Sequence, residues 1–212
     1  MKKKLIFAAL SFYSLTISAQ QGYQDSNRIG INGGINQFTL TTKNFSAKPG
    51  MGWNAGLSNR GNYFNNFDMV FALQFSENNY TVSTLQGAIS KEVEYKIASA
   101  QLSLLLSYEF VEDHLSMELG PMVQVNGKAT IDENDEANIV IGTTATAKEI
   151  TDISNFSFYP TVGLTAGFTH LRINVTYQYG VSNLLNNLND QGFGDDFKGH
   201  ASILTGNLII YF

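Results

Sequence analysis

The segment Leu171-Arg-Ile-Asn-Val-Thr-Tyr-Gln-Tyr-Gly-Val-Ser182 alternates apolar and polar side chains. Because successive side chains of a β-strand point to opposite faces, this period of two predicts a strand with one apolar and one polar face. The same alternation recurs in seven other segments, whose apolar members begin at Ile29, Met51, Phe67, Leu102, Leu115, Phe156 and Leu204. The sequence therefore predicts an all-β protein with eight strands.

The composition excludes several classes of protein. Only 15% of the 212 residues are charged, whereas 43% are hydrophobic and 12% aromatic, which is not the balance of a disordered chain. The net charge of −5 argues against a nucleic-acid partner. The chain has no cysteine, which excludes disulfides, thiol catalysis and Cys-ligated zinc.

The first residues resemble a secretory signal. Lys2, Lys3 and Lys4 precede an apolar run over 5–17, and Ser18-Ala19 then offers small residues before Gln20. A run of this length is shorter than the roughly 20 residues that a membrane-spanning helix needs. We predict a signal peptide over 1–19 and a mature chain over 20–212 with a net charge of −8. No later stretch is long and apolar enough for a helical span.

Two antiparallel architectures fit the alternation: a membrane barrel with its apolar face towards lipid, and a soluble lipocalin-like barrel with that face inside. The weaker face consists mainly of Gly, Ser, Thr, Asn and Gln, which suit a crowded lumen better than a solvated surface. The connections also alternate in length, as periplasmic turns and extracellular loops do. The predicted short ones are 58–66, 109–114 and 169–170, and the long ones are 39–50, 77–94, 127–154 and 183–199.

These features favour an eight-stranded antiparallel up-and-down transmembrane β-barrel in the outer membrane, surrounded by outer-membrane lipid. The last strand ends on Tyr211-Phe212, and we expect this aromatic end to contact the barrel assembly machinery. The interior of eight strands is just wide enough for side chains, so we expect no open pore. Asp68, Glu118 and Arg172 would then face the lumen and need partners. We expect Arg172 to compensate Asp68 or Glu118, with Arg28 available to join them.

Three segments carry a resemblance to a known family: Leu115-Ser-Met-Glu-Leu-Gly-Pro121, Tyr177-Gln-Tyr-Gly-Val-Ser-Asn-Leu184 and Leu208-Ile-Ile-Tyr-Phe212. In these segments the chain resembles the small outer-membrane β-barrel family that includes PorT-like proteins. The resemblance implies an eight-stranded barrel in the outer membrane of a Gram-negative cell. Some relatives take part in protein secretion and many have no assigned role. Envelope or secretion-system proteins are therefore candidate partners, and the role itself stays open.

Two polar loops could hold a cation. In the first, Asp132-Glu-Asn-Asp-Glu136 offers carboxylates, which are Ca²⁺ ligands. As an EF-hand it fails, because Ala137 stands at the glycine position and Thr143 at the position of the bidentate glutamate. We predict a solvated acidic loop. The second loop, Asn183–Asp196, is rich in Asn and Asp and is ambiguous in the same way, and its Gly192-Phe-Gly194 is either a contact point or a turn.

Two His-x-Ser pairs, His114 with Ser116 and His200 with Ser202, resemble the spacing in lipid A deacylase barrels. In those enzymes a His activates a nucleophilic Ser. Asp195 or Asp196 could orient His200. A spacing of two residues arises often by chance, so we predict no catalytic, cofactor-binding or metal-binding residue.

The sequence thus leads to one main expectation and two alternatives. The main one is a non-enzymatic outer-membrane barrel with a closed lumen and a link to a protein-secretion system, whose long loops contact other proteins, surface glycans or a secretion assembly. The first alternative is a lipid-modifying barrel enzyme that uses His200 and Ser202. The second is a soluble periplasmic barrel that encloses a small apolar ligand, as lipocalins do.

Overall fold

The computed structural model describes residues 27–191, 193 and 196–212, so the predicted signal segment lies outside the described residues. The strands are β1 (Arg28–Thr42), β2 (Ala47–Phe64), β3 (Phe67–Gln86), β4 (Ile89–Val111), β5 (Leu115–Asn126), β6 (Ile139–Val140), β7 (Phe156–Gly167), β8 (Leu171–Tyr179) and β9 (Gly199–Tyr211). Short 3₁₀ helices cover Glu133–Asp135, Glu149–Thr151 and Asn186–Gln191. Among the described residues, no helix is long and apolar enough to cross a membrane.

The eight long strands form one closed antiparallel ring. Each of them pairs with its neighbours along the chain, and β1 closes the ring by pairing with β9 from Gly30↔Tyr211 to Thr42↔Gly199. The short strand β6 adds to β3 outside the ring, at Thr84 and Leu85. Closure gives the main-chain groups of the barrel wall a partner on both sides, which hydrocarbon requires. The predicted eight-stranded antiparallel barrel is confirmed.

The barrel has two unlike ends. At the turn end, strands are joined through residues 65–66, 112–114 and 168–170, and Asn65 and Asp113 adopt positive φ values of 48° and 60° in these tight turns. At the loop end, the connections are 43–46, 87–88, 127–155 and 180–198. The turn at 87–88 depends on Gly87, whose φ of 64° is a conformation that glycine adopts at little cost.

Two of the four predicted long loops are mostly strand. The segment 39–50 contains the end of β1 and the start of β2 around a short connection, and 77–94 is a hairpin in which β3 continues to Gln86 and β4 starts at Ile89. The other two, 127–154 and 183–199, are the long connections of the loop end. The sequence underestimates the length of these strands, because the outward-facing apolar residues end several positions before the backbone pairing ends.

The apolar face of the barrel points outwards. Leu104, Val175 and Tyr177 are 47%, 48% and 45% exposed, whereas Thr176 and Gln178 face the lumen and are buried. Exposed apolar side chains occur on every barrel strand, among them Ile35, Leu57, Phe71, Leu119, Leu164, Ile173 and Leu208. A continuous apolar belt of this kind is what a membrane barrel presents to lipid. The soluble lipocalin-like alternative is wrong, because it requires these side chains inside.

The phase of the alternation inverts towards the loop end. In the outer part of β4 the apolar members are the inward-facing residues, and further along the same strand they are the outward-facing ones. The two sets are Val93, Tyr95 and Ile97, buried inside, and Leu102, Leu104 and Leu106, exposed outside. The same change separates Ile35 from Phe38 on β1. An inversion of this kind is expected where the surroundings of a membrane barrel change from lipid to water.

Candidate functional site

The strand extensions and the two long loops form a compact unit, which we call the loop head. It comprises residues 36–50, 76–97, 127–155 and 180–203, within the described part of the chain. Unlike the rest of the barrel, the loop head has an apolar interior and a largely polar outer surface, although Leu85, Ile89, Ile139, Ile141 and Val181 are exposed on it. The distribution of apolar side chains in the loop head is therefore mainly the reverse of that in the barrel wall.

One apolar cluster fills the loop head. Strands contribute Phe38, Leu40, Tyr80, Val82, Val93, Tyr95, Ile97, Ala201 and Ile203, and the connections contribute Phe45, Ala129, Val140, Ala145, Ala147, Ile150, Ile153, Leu184, Leu185, Leu188 and Phe197. Tyr80 stacks on Tyr95 with ring centroids 5.0 Å apart. The Tyr95 hydroxyl donates to the carbonyl of Ala147 at 2.9 Å, which ties β4 to the longest loop. The long loops are thus packed against the barrel and do not extend freely into solvent.

Backbone hydrogen bonds join the two long loops to each other and to the barrel. The amide of Ser154 donates to the carbonyl of Leu184 at 2.8 Å, and the amide of Leu184 donates to the carbonyl of Gly199 at 2.8 Å. Asn187 donates through its side chain to the carbonyl of Ile153 at 2.9 Å. A segment with a fixed backbone presents one shape to a partner and loses less conformational entropy on binding.

Three of the four carboxylates in the acidic loop 132–136 contact other groups of the protein. Asp132 caps a 3₁₀ helix by accepting from the amide of Asn134 at 2.9 Å, and this hydrogen bond lowers the pKa of Asp132. Asp135 is buried and forms an ion pair with Lys91, and Glu136 is paired with Lys148 at 2.6 Å. No group of three or more potential metal ligands occurs in the described ranges 27–191, 193 and 196–212.

The asparagines of the second long loop shape its backbone. Asn183 accepts from the amides of Leu185 and Gly199 at 3.1 and 2.8 Å, and Asn189 accepts from the amide of Phe197 at 2.7 Å. Their oxygens are therefore occupied by main-chain donors. Phe193 packs against Phe197 with ring centroids 5.9 Å apart, whereas the flanking Gly192 and Gly194 lie outside the described residues.

A cluster of charges lies in the lumen towards the turn end, with Arg60 at its centre. Arg60 donates to Asp68 at 3.0 Å and to the hydroxyl of Ser107 at 2.9 Å, and it forms an ion pair with Glu118 across the lumen. Asn174 donates to the second oxygen of Glu118 at 2.9 Å. Buried charges are tolerated when they are paired and hydrogen-bonded in this way.

The prediction that Arg172 pairs with Asp68 or Glu118 is wrong. Arg172 pairs with Glu109 at 3.4 Å and with Asp113 at 3.3 Å, whereas Asp68 and Glu118 pair with Arg60. Arg28 does join the cluster, through Asp113 at 2.8 Å. This hydrogen bond holds the pKa of Asp113, which lies in a turn outside the barrel wall, below its ordinary value.

Arg60 and Glu109 were missed because the sequence places them in turns. β2 continues past Leu57, but its next outward positions are Asn59 and Gly61, so the apolar stripe that defines a strand in the sequence is interrupted. Arg60 has the lumen parity of Ser58, which is the one signal that could have identified it.

The lumen contains a small cavity of about 40 Å³ between the charge cluster and the loop head. Its lining includes Asn32, Gln74, Glu118, Met122 and Gln178. A space of this size holds a few water molecules at most. Above it, Met122 and Tyr159 belong to the apolar cluster that fills the loop end. Within the described part of the chain, apolar side chains and paired charges thus occupy the lumen on the two sides of this cavity.

The two histidines of the His-x-Ser pairs have local roles. The Nδ1 atom of His200 lies 3.1 Å from the carbonyl oxygen of Gly180, and its ring stacks on Tyr179. The Nδ1 atom of His114 lies 2.7 Å from the carbonyl oxygen of Glu112. Among the described residues, no carboxylate forms a hydrogen bond with either ring, and Asp195 lies outside them.

The sequence matches no known family model, and no curated protein matches it. The crystal structure of Neisserial surface protein A (NspA) is similar with a TM-score of 0.53 and 11% identity, and the match covers 89% of this chain and 100% of that one. Ail, the attachment invasion locus protein of Yersinia pestis, aligns with a TM-score of 0.45 and 14% identity over 88% of this chain and 100% of Ail. At such identities, the likeness to NspA shows the fold alone. The chain has the fold of a small eight-stranded outer-membrane β-barrel.

Proposed function

We propose that the protein is a non-enzymatic outer-membrane barrel that displays the loop head at the cell surface, where the head contacts proteins or glycans. The observation that carries this proposal is the packed loop head itself, a folded unit on the far side of an apolar belt. Binding groups concentrate on connections that a rigid scaffold positions. Here the barrel is the scaffold and the long loops carry the variable chemistry.

The unlike ends support the orientation. Outer-membrane barrels have short turns on the periplasmic side and longer connections outside the cell. The turn end has connections of two or three residues, whereas the loop end includes 127–155 and 180–198. The loop head therefore faces outwards. In this orientation Phe212, which is 74% exposed at the turn end, is available to the barrel assembly machinery.

The filled lumen and the engaged histidines argue against transport and catalysis. Apolar side chains close the loop end, and paired charges close the turn end. His200 contacts a carbonyl oxygen and an aromatic ring instead of an orienting carboxylate among the described residues. A nucleophilic serine needs an oriented base. A role beside a secretion system rests on the resemblance to PorT-like proteins and stays a prediction.

Fractionation and crosslinking test this function directly. We expect the protein in the outer-membrane fraction and expect crosslinked partners to be captured through the loop head. A variant in which a Gly/Ser turn replaces 130–150 is the matched control, because we expect it to retain the barrel while it lacks most of one long loop. Lipid A mass spectra should be the same with and without the protein. A change in lipid A that His200→Ala or Ser202→Ala abolishes would favour the enzyme instead.

A further inference from the structure

One side of β4 has an unpaired strand edge within the loop head. On this side, β4 pairs with β5 up to Ser99, which is opposite Asn126, the last residue of β5. The last main-chain pairing beyond it, towards the loop end, is the bridge between Lys96 and Thr130. The loop then turns away towards β3, where Ile139 and Val140 pair on the opposite edge of the hairpin. Residues 90–95 of β4 therefore have β3 on one side and no strand on the other, within the described chain.

The register decides which main-chain groups are open. Lys96 exchanges both of its main-chain hydrogen bonds with Thr130, at 3.0 and 2.9 Å, so its N–H and C=O point away from β3. The β3–β4 pairing has no irregularity, so Glu94 and Glu92 point the same way. Among the described residues, no hydrogen bond is formed by the main-chain groups of Glu92 or Glu94. The odd-numbered neighbours bond to β3 instead.

An acidic groove runs along this edge. It has a volume of about 470 Å³ and is lined by Glu92, Glu94, Lys96, Thr130, Ile131, Asp132 and Asp135. Its lining has four carboxylates and one ammonium group, and two further lysines reach it, Lys91 at Asp135 and Lys48 at Glu92. The side chains of Glu92 and Glu94 are 54% and 56% exposed, on the outer face of the strand. Their ion pairs with Lys48 and Lys96 are solvent-exposed and worth little, so a partner can replace them.

We infer that this edge binds an extended basic peptide segment of another protein by β-strand addition, an inference that rests on the proposed surface role of the loop head. In an antiparallel pair, residues opposite Glu92 and Glu94 would exchange main-chain hydrogen bonds with them and place their side chains on the same face. Lys or Arg at those alternate positions would face the two carboxylates. The intervening side chains would face the groove wall near Ile131.

The charges also indicate why the partner is not a second copy of this chain. Antiparallel pairing of two identical edges would place the glutamates of one copy beside those of the other, and like charges opposite each other destabilise a sheet. Charged edge residues are a common protection against such pairing. The same carboxylates favour a segment of opposite charge.

The test uses the whole protein in uncharged detergent and an acetylated, amidated octapeptide of alternating Lys and Val. Two matched peptides carry methyl groups on main-chain nitrogens, one peptide at its Lys residues and the other at its Val residues. The side chains are unchanged, so the two peptides have the same charge. A methylated main-chain nitrogen of Lys cannot donate a hydrogen bond to the β4 edge. The main-chain nitrogens of Val point away from that edge, so their methylation should not affect the pairing. We expect the first to bind about tenfold or more weakly than the second. Equal binding would mean attraction by charge alone and would overturn the inference.

Variants and amide exchange locate the contact. Glu94→Pro removes a main-chain donor on the open side without removing a bond to β3, and it should weaken binding more than Glu94→Gln, which removes only the charge. Glu112→Gln, at the turn end, should leave binding unchanged. The amides of Glu92 and Glu94 should exchange rapidly in the free protein and become protected by the peptide.

Three results would contradict the inference: no binding, protection of these amides before peptide is added, or no protection after it. Protection without peptide would point to pairing between copies. Because the surface location of the loop head is measured separately, by labelling of intact cells, a failure of peptide binding would refute the strand edge and leave the proposed function standing.

Discussion

Arg60 and Glu118 form an ion pair across the barrel lumen, from strands β2 and β5, which are not neighbours in the ring. Their side chains are 2% and 3% exposed. The pair therefore joins two strands that do not hydrogen-bond to each other, and both of its side chains are buried. Because Arg60 also pairs with Asp68, its removal leaves two buried carboxylates without their main partner.

Arg60→Met should lower the free energy of unfolding by about 3–5 kcal/mol, the usual cost of leaving a buried charge uncompensated. Lys48→Met is the control, because Lys48 pairs with Glu92 in solvent and should cost about 0–1 kcal/mol. Urea titrations of the protein in lipid bilayers measure both. A loss below 1 kcal/mol for Arg60→Met would show that the lumen charges are hydrated.

Leu104→Arg should impair folding into bilayers by about 2–4 kcal/mol, because Leu104 belongs to the outward apolar belt. Ser103→Thr, one residue away on the lumen side, should fold nearly as well as the unmodified protein. The folded fraction in vesicles of increasing urea concentration reports the difference. If both variants fold equally well, this part of β4 is not in contact with lipid.

The purified protein should show no steady ion conductance in planar bilayers. The loop end of the lumen is filled by apolar side chains such as Tyr95 and Tyr159, and the turn end by paired charges around Arg60. Conductance at the level of a porin would contradict the closed lumen.

The Arg28–Asp113 pair predicts a specific loss of stability in acid. Because the pKa of Asp113 in the folded protein lies below that of an unfolded chain, its contribution is complete above about pH 4 and is lost as the pH falls through the lowered pKa. Asp113→Asn should therefore be less stable than the unmodified protein at pH 6, and the difference should shrink towards pH 2. A difference that does not vary with pH would exclude this ion pair as its source.

Replacing 130–150 by a short Gly/Ser turn should leave the ring of eight strands intact, because none of its pairings involves this segment. The loop head should loosen, since Val140, Ala147 and Ile150 leave the apolar cluster. We expect barrel-like migration of the folded form on gels, together with faster amide exchange over 80–97. Loss of the folded form would mean that the loop is needed for assembly.

The sequence predicts the membrane part of this protein well and the loop head poorly, for one physical reason. In the membrane part, the apolar residues of a strand such as Leu171–Tyr179 all face outwards, so the alternation in the sequence predicts where the strand lies. In the loop head most apolar residues face inwards, so the strand continues while the pattern changes phase, as between Tyr95 and Leu102. A reader of the sequence who follows only the outward stripe ends each strand too early.

The lumen cluster shows a different limit of the sequence. The lumen-facing positions of Asp68, Glu118 and Arg172 follow from their parity, but the pairing depends on which side chains meet across the barrel. Arg60 pairs with both Asp68 and Glu118. The sequence does not predict that β2 reaches Arg60, because the outward positions Asn59 and Gly61 are not apolar. Contacts between strands that are not neighbours have no signature in the spacing along the chain. The open edge of β4 is equally invisible, because it is a property of where the neighbouring strand ends.

The central claim is that the loop head faces the outside of the cell and the turn end faces the periplasm. Because the sequence has no cysteine, single cysteines introduced at two exposed glutamates can report each side: Glu133→Cys in the loop head and Glu112→Cys at the turn end. A membrane-impermeant maleimide should label Glu133→Cys on intact cells and Glu112→Cys only after the outer membrane is permeabilised. Labelling in the opposite pattern, or recovery of the protein in a detergent-free periplasmic extract, would contradict the account.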